Sequence, residues 1–191
     1  MTTSFSGGCQ CGAVRYRVET ELTNPHLCHC RMCQKAAGNY FMPLAGAPRG
    51  EIVVTRGEPG WFQSSDIVRR GFCRDCGTPL FFDPLDSDHL LVVLGSLDDP
   101  SRVPPVSEDS VESRVAFVPV WPGLRQKETG DDFSDDEMAA IRESSRQHPD
   151  RDTETWPPES DRSPLSPLAR GSEGRVETRG STLQSRRDRG G

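Results

Sequence analysis

The sequence predicts a mainly β fold carrying metal sites, with one short C-terminal helix and a disordered tail. Three observations point there. From Cys9 to about Leu97, short runs rich in β-branched and aromatic residues are bounded by Gly, Pro or Asp. Seven cysteines fall in the same region, in three tight groups. From residue 146 onward, large apolar residues shrink to Trp156, Leu165, Leu168, Val176 and Leu183.

The strands are read in order. "AVRYRV" (13–18) alternates apolar with polar, the period of a strand with one face buried. "EIVVTRG", "WFQSS", "IVRRGFC", "PLFF" and "HLLVVLGSL" continue in that style, and after the Pro-rich turn "DDPSRVPPV" the segment "VESRVAFVPVW" is expected to supply one last strand. "CRMCQKAA" predicts a turn or two of helix, stopped by Gly38. "FSDDEMAAIRESS" predicts a better one. Ser134 and Glu137 form a capping box, acidic residues crowd the first turn, and Met138 and Ile141 share a face, so the helix should end near Ser145. The remaining residues, 146–191, bury too little to offset a chain entropy of about 1 to 2 kcal/mol per ordered residue. The domain organisation expected is therefore a folded domain over 5–125, the short helix within 131–145 and a disordered tail over 146–191.

Composition excludes some functions. A net charge of −6 argues against an electrostatic grip on nucleic acid or anionic lipid. From residue 143 to the end, nine arginines balance nine acidic residues, so the tail is no basic nucleic-acid arm. No apolar run approaches the roughly 20 residues that cross a bilayer, and the start "MTTSFSGGCQCG" lacks the order of a signal peptide. A cytoplasmic protein is expected, and a reducing compartment favours thiolates over disulfides.

The cysteine groups are "CQC" (Cys9, Cys11), "CHCRMC" (Cys28, Cys30, Cys33) and "CRDC" (Cys73, Cys76). In an extended segment, residues two apart point to one side, so Cys9 and Cys11 present two thiolates together. Cys73 and Cys76, with Gly77 behind them, have the form of a zinc knuckle. Together the two pairs make a closed four-sulfur site of structural type. Cys28, Cys30 and Cys33 occupy three corners of a second zinc site and leave the fourth open, the mark of a catalytic centre. His29 is expected to point away from that ion; His89 or a carboxylate completing a second structural site is the alternative. Arg31 and Lys35 share one helix face beside the cluster and are candidate contacts for an anionic ligand. Arg69 and Arg70 in "VRRGFC" are expected near the four-cysteine site.

"GGCQCGAVRYRV", "CHCRMCQKAAG" and "GFCRDCGTPLF", in this order, resemble the glutathione-dependent formaldehyde-activating enzyme family, also called the centromere-protein-V-like domain, over about residues 5 to 125. The resemblance implies an Mss4-like fold of coiled antiparallel sheets with two Zn²⁺ per chain. Cys9, Cys11, Cys73 and Cys76 match its structural zinc ligands; Cys28, Cys30 and Cys33 match its catalytic ones. The implied activity is of carbon-sulfur lyase type, with glutathione as co-substrate and formaldehyde as the aldehyde, forming or cleaving an S-hydroxymethyl adduct. Its partners would be a small thiol and a small aldehyde, with neither nucleic acid nor membrane. The competing reading is a zinc-stabilised protein-interaction module without turnover.

Overall fold

A computed structural model describes residues 4–145. In chain order the strands are β1 (Phe5–Gly8), β2 (Arg15–Val18), β3 (Thr23–Cys28), β4 (Met42–Pro48), β5 (Ile52–Arg56), β6 (Gly60–Ser65), β7 (Val68–Phe72), β8 (Pro79–Pro84), β9 (His89–Val93), β10 (Ser107–Asp109) and β11 (Arg125–Lys127). Two α-helices interrupt them, α1 (Arg31–Ala37) and α2 (Asp135–Ser144). The fold is mainly β, as the alternation requires. β1, β2 and β5 form a small antiparallel sheet, and the rest form one large sheet in the order β11-β10-β3-β4-β9-β8-β7-β6. Within it β10 runs parallel to both β3 and β11, and the other pairs are antiparallel.

Strand periodicity sorts the large sheet's side chains into two cores. Ala45 and Ala47 of β4, Phe81 of β8 and Leu90 and Val92 of β9 face the small sheet, where they bury Phe5, Tyr16 and Val18. Met42 and Leu44, Phe82, and Leu91 and Val93 of the same three strands face the other way, onto Cys33 and Ala37 of α1. Each cysteine cluster belongs to a different core. Cys9, Cys73 and Cys76 lie in the main core between the sheets, and Cys28, Cys30 and Cys33 lie on the opposite face under α1.

Helix ends follow their side chains. Cys30 caps α1, its sulfur accepting the Cys33 N–H at 3.3 Å, and Gly38 closes it in the left-handed conformation at φ 59°. α2 starts on the expected Ser134 and Glu137 capping box. No described helix is long and apolar enough to cross a membrane.

The expected strand in "VESRVAFVPVW" is not formed. Ser110 turns the chain away at φ 58°, Val111–Ser113 makes a single 3-10 turn, and Pro119 and Pro122 offer no N–H to a ladder. The pairing strands, β10 and β11, flank the segment instead. The expected tail, 146–191, lies outside the described residues.

Candidate metal centres

The four-cysteine cluster joins two hairpins. Cys9 and Cys11 follow β1, and Cys73 and Cys76 fill the turn between β7 and β8. Gly77, at φ 75°, lets that turn close: its N–H reaches the Cys73 carbonyl at 3.0 Å, and the Cys73 N–H reaches the Thr78 carbonyl at 2.9 Å. The Thr78 hydroxyl lies 3.2 Å from the Cys76 sulfur and accepts the Gln10 N–H at 3.1 Å, so one side chain fastens both halves of the cluster. Hydrogen bonding from Thr78 draws the Cys76 thiol down to about 6. All four sulfurs fall within 4.8 Å of one another; Cys9 to Cys11 is 3.5 Å and Cys11 to Cys73 is 3.7 Å. Sulfurs around a tetrahedral ion with bonds near 2.3 Å would lie about 3.8 Å apart. The donor set therefore fits a tetrahedral metal ion with every corner filled by the protein.

The second cluster holds Cys28, Cys30 and Cys33, whose sulfurs also lie within 4.8 Å of one another. Cys28 ends β3, Cys30 caps α1 and Cys33 sits in its first turn, 1% exposed. No fourth His, Asp or Glu joins this group among the described residues. Hydrogen bonds from Cys28 and Cys30, then the charge of Arg70, hold the Cys33 thiol well below its ordinary value. The Cys28 thiol is pushed well up, first by its hydrogen bonds with Cys30 and Cys33.

His29 turns away from the sulfurs. It is fully buried, its Nε2–H donates to Glu108 Oε1 at 3.0 Å, and its ring packs 5.7 Å from that of Phe41. Burial holds the imidazole below its ordinary value, with the Glu108 hydrogen bond opposing. Glu108, itself fully buried, also accepts hydrogen bonds from Arg114 Nη1 at 3.1 Å, the Gln126 side chain and the Trp121 N–H at 3.4 Å. Gln34 adds two more ties, donating to the His29 carbonyl at 2.8 Å and the Ser113 carbonyl at 3.0 Å. The His29 N–H reaches the Asp109 carbonyl at 2.8 Å. The loop between β3 and α1 is thus fastened from behind by β10 and its flanks.

Arg31 and Lys35 stand exposed on α1, with Arg31 Nη1 3.5 Å from Gln34 Oε1. Their neighbours on β7 depart from expectation. Arg69 pairs with Asp83 at 2.6 Å, and Arg70 is buried against Cys33, so the latter serves the three-cysteine cluster and not the four-cysteine one. Period-2 alternation is the reason, because Arg70 and Cys73 are an odd number of positions apart and point to opposite faces. That signal was present in "VRRGFC". Glu108 and Gln34 gave none, since neither belongs to a ligand spacing. His89 is half-exposed and bonded to Asp88, away from both clusters.

A cleft of about 160 Å³ is lined by Ala36, Met42, Phe62, Arg70, Phe72, Gly77 and Phe81 among others; Arg70 and Met42, which also pack against Cys33, connect it to the second cluster, and no cysteine lines it. Its wall is apolar except for Arg70.

Comparison with known proteins gives the geometry a family. The family model described as glutathione-dependent formaldehyde-activating enzyme matches residues 4–113. A Halomonas elongata protein named "Putative glutathione-dependent formaldehyde-activating enzyme" is 29% identical over 134 residues, which is 65% of this chain and 83% of that protein. A Schizosaccharomyces pombe protein named as an uncharacterized lyase is 28% identical over 78 residues; the match spans 41% of this chain and 56% of that protein's length. A crystal structure of a Rhodobacter sphaeroides protein aligns with a TM-score of 0.44 at 24% identity, over 54% of this chain and 98% of that one. With more than half of its length matched by the family model, the chain belongs to the glutathione-dependent formaldehyde-activating enzyme family.

Proposed function

We propose that the protein is a zinc-dependent carbon-sulfur lyase that joins a small thiol, glutathione, to formaldehyde, or cleaves the S-hydroxymethyl adduct, in the cytoplasm. The observation that carries this reading is a three-sulfur cluster without a fourth protein donor among the described residues, connected to a cleft through Arg70 and Met42. The family and the relatives' names support the substrate class.

Cys9, Cys11, Cys73 and Cys76 would hold a structural zinc. Four thiolates leave it no open corner, so its contribution goes into folding, on the order of 10 kcal/mol. Cys28, Cys30 and Cys33 would hold the second ion. Zinc at that position supplies a place where a thiol gives up its proton at neutral pH. The chain's own residues do the rest. The His29, Glu108 and Gln34 ties fix the loop that carries Cys28 and Cys30, and Met42, Leu44 and Val93 pack with the buried Cys33. Arg31 and Lys35, on the exposed side of α1, are candidate contacts for the carboxylates of glutathione.

Calorimetric titration of glutathione into zinc-loaded protein tests the reading. Saturable binding that vanishes in Cys30→Ser, with that variant still folded and holding one zinc per chain, is the expected result. Absence of binding to wild-type protein carrying both ions would instead favour an interaction module.

A further inference from the structure

Arg70 is a buried cation whose closest facing group at its terminal nitrogens is the Cys33 sulfur. It is 8% exposed. Nε donates to the Ser64 hydroxyl at 3.2 Å, Nη1 lies 3.8 Å from the Met42 sulfur, and the guanidinium stands 4.9 Å over the Phe82 ring. Both terminal nitrogens approach the Cys33 sulfur, at 3.7 and 3.6 Å. Among the described residues no carboxylate pairs with it, whereas Arg69 next door and Arg49 share Asp83. A guanidinium removed from water needs an opposite charge facing it. Cys33 as a metal ligand is a thiolate and provides that charge.

The dependence runs both ways. Three thiolates around a divalent ion leave one net negative charge, which opposes the approach of any further anion. Arg70 cancels that charge at the most deeply buried of the three sulfurs. It is also the charged residue in the wall of the cleft, and its contact with Cys33 links that cleft to the cluster.

We propose that Arg70 is the positioning residue that lets the three-cysteine centre accept an anionic sulfur from the cleft. The proposal rests on the thiol-binding reading above and deepens it. The ligand class is a small thiol with an uncharged carbon next to its sulfur, since the apolar walls suit such an arm and the cleft offers no second cation for a carboxylate. The thiol's proton passes to solvent as its sulfur binds, and no bond to carbon forms or breaks in this step. Arg70 acts on the centre's charge and does not touch the rest of the ligand. It should therefore serve a carboxylated thiol and a neutral one alike.

The test uses the full chain loaded with Co²⁺, whose visible absorption reports sulfur coordination, titrated with glutathione and separately with 2-mercaptoethanol. Arg70→Gln and Arg70→Met should hold two ions per chain yet bind both thiols at least about tenfold more weakly. Arg70→Lys, which keeps the charge, should recover most of the affinity. Neutral variants that bind both thiols as tightly as wild type would overturn the proposal. So would a loss confined to glutathione, which would assign Arg70 to a carboxylate. Neutral variants that hold a single ion while Arg70→Lys holds two would overturn it as well, because Arg70 would then serve the metal itself. A wild-type spectrum indifferent to both thiols is a separate failure, that of the thiol-binding reading.

Discussion

At the scale of single residues, the second cluster depends on groups that never touch a ligand. Glu108 is the clearest case. Fully buried, it gathers hydrogen bonds from His29, Arg114, Gln126 and the Trp121 N–H. Replacing it with Ala strands a half-buried arginine and a buried imidazole, and denaturant melts should show a loss of about 3 kcal/mol. Burial opposes ionisation of Glu108, but the hydrogen bonds from Gln126, Arg114, His29 and Trp121 outweigh it and hold the carboxyl below its ordinary value of 4.5. A carboxyl depressed by folding contributes stability that is complete above pH 4.5 and is lost as pH falls through its folded value. Wild-type stability should therefore fall more steeply than that of Glu108→Gln as the pH drops below 4.5, measured by urea denaturation across that range. At this scale the sequence was legible where chemistry sets spacing. The seven cysteines sort into their clusters by C-x-C and C-x-x-C alone. Glu108 and Gln34 were not legible, because they reach the loop from residues far away in the chain, and no local pattern marks such a contact.

At the scale of elements, α1 is the part that presents Cys33, and it is short enough for its ends to matter. Gly38 closes it with φ 59° and no atom crowding the place where a Cβ would stand. Gly38→Ala should cost about 1 kcal/mol from left-handed backbone alone and should loosen the second metal before it affects the first. Thermal melts combined with graded chelation would show this as earlier release of one ion. The strands were unevenly legible for physical reasons. β2, β5, β7, β8 and β9 announce themselves by β-branched and aromatic runs, whereas β3 contains Pro25 and β4 contains Pro43, Gly46 and Pro48, residues that normally mark turns. β4 nonetheless lies between β3 and β9 in the middle of the large sheet, where Ala45 and Ala47 fill the main core. Tertiary packing overrides local preference there. The opposite error occurred at "VESRVAFVPVW", whose alternating valines read as a strand although Ser110, Pro119 and Pro122 prevent pairing.

At the scale of the molecule, the two clusters stand on opposite faces of the same strands, and the proposed function assigns folding to one and chemistry to the other. The four-cysteine site ties the small sheet's first hairpin to the β7 and β8 hairpin through the main core. The three-cysteine site lies on the far face of the same strands, under one helix. Cys73→Ser should then abolish cooperative folding, with a loss on the order of 10 kcal/mol, whereas Cys30→Ser should leave a folded domain with a single ion. Circular dichroism with zinc counting separates the two. Turnover of a thiol and an aldehyde at the second site is read out by exchange NMR of ¹³C-formaldehyde with glutathione. A catalytic amount of zinc-loaded protein should raise the exchange rate between free aldehyde and S-hydroxymethyl adduct above the uncatalysed rate, and Cys30→Ser should not. An unchanged rate with wild-type protein carrying both ions would mean that the second site does not catalyse this exchange.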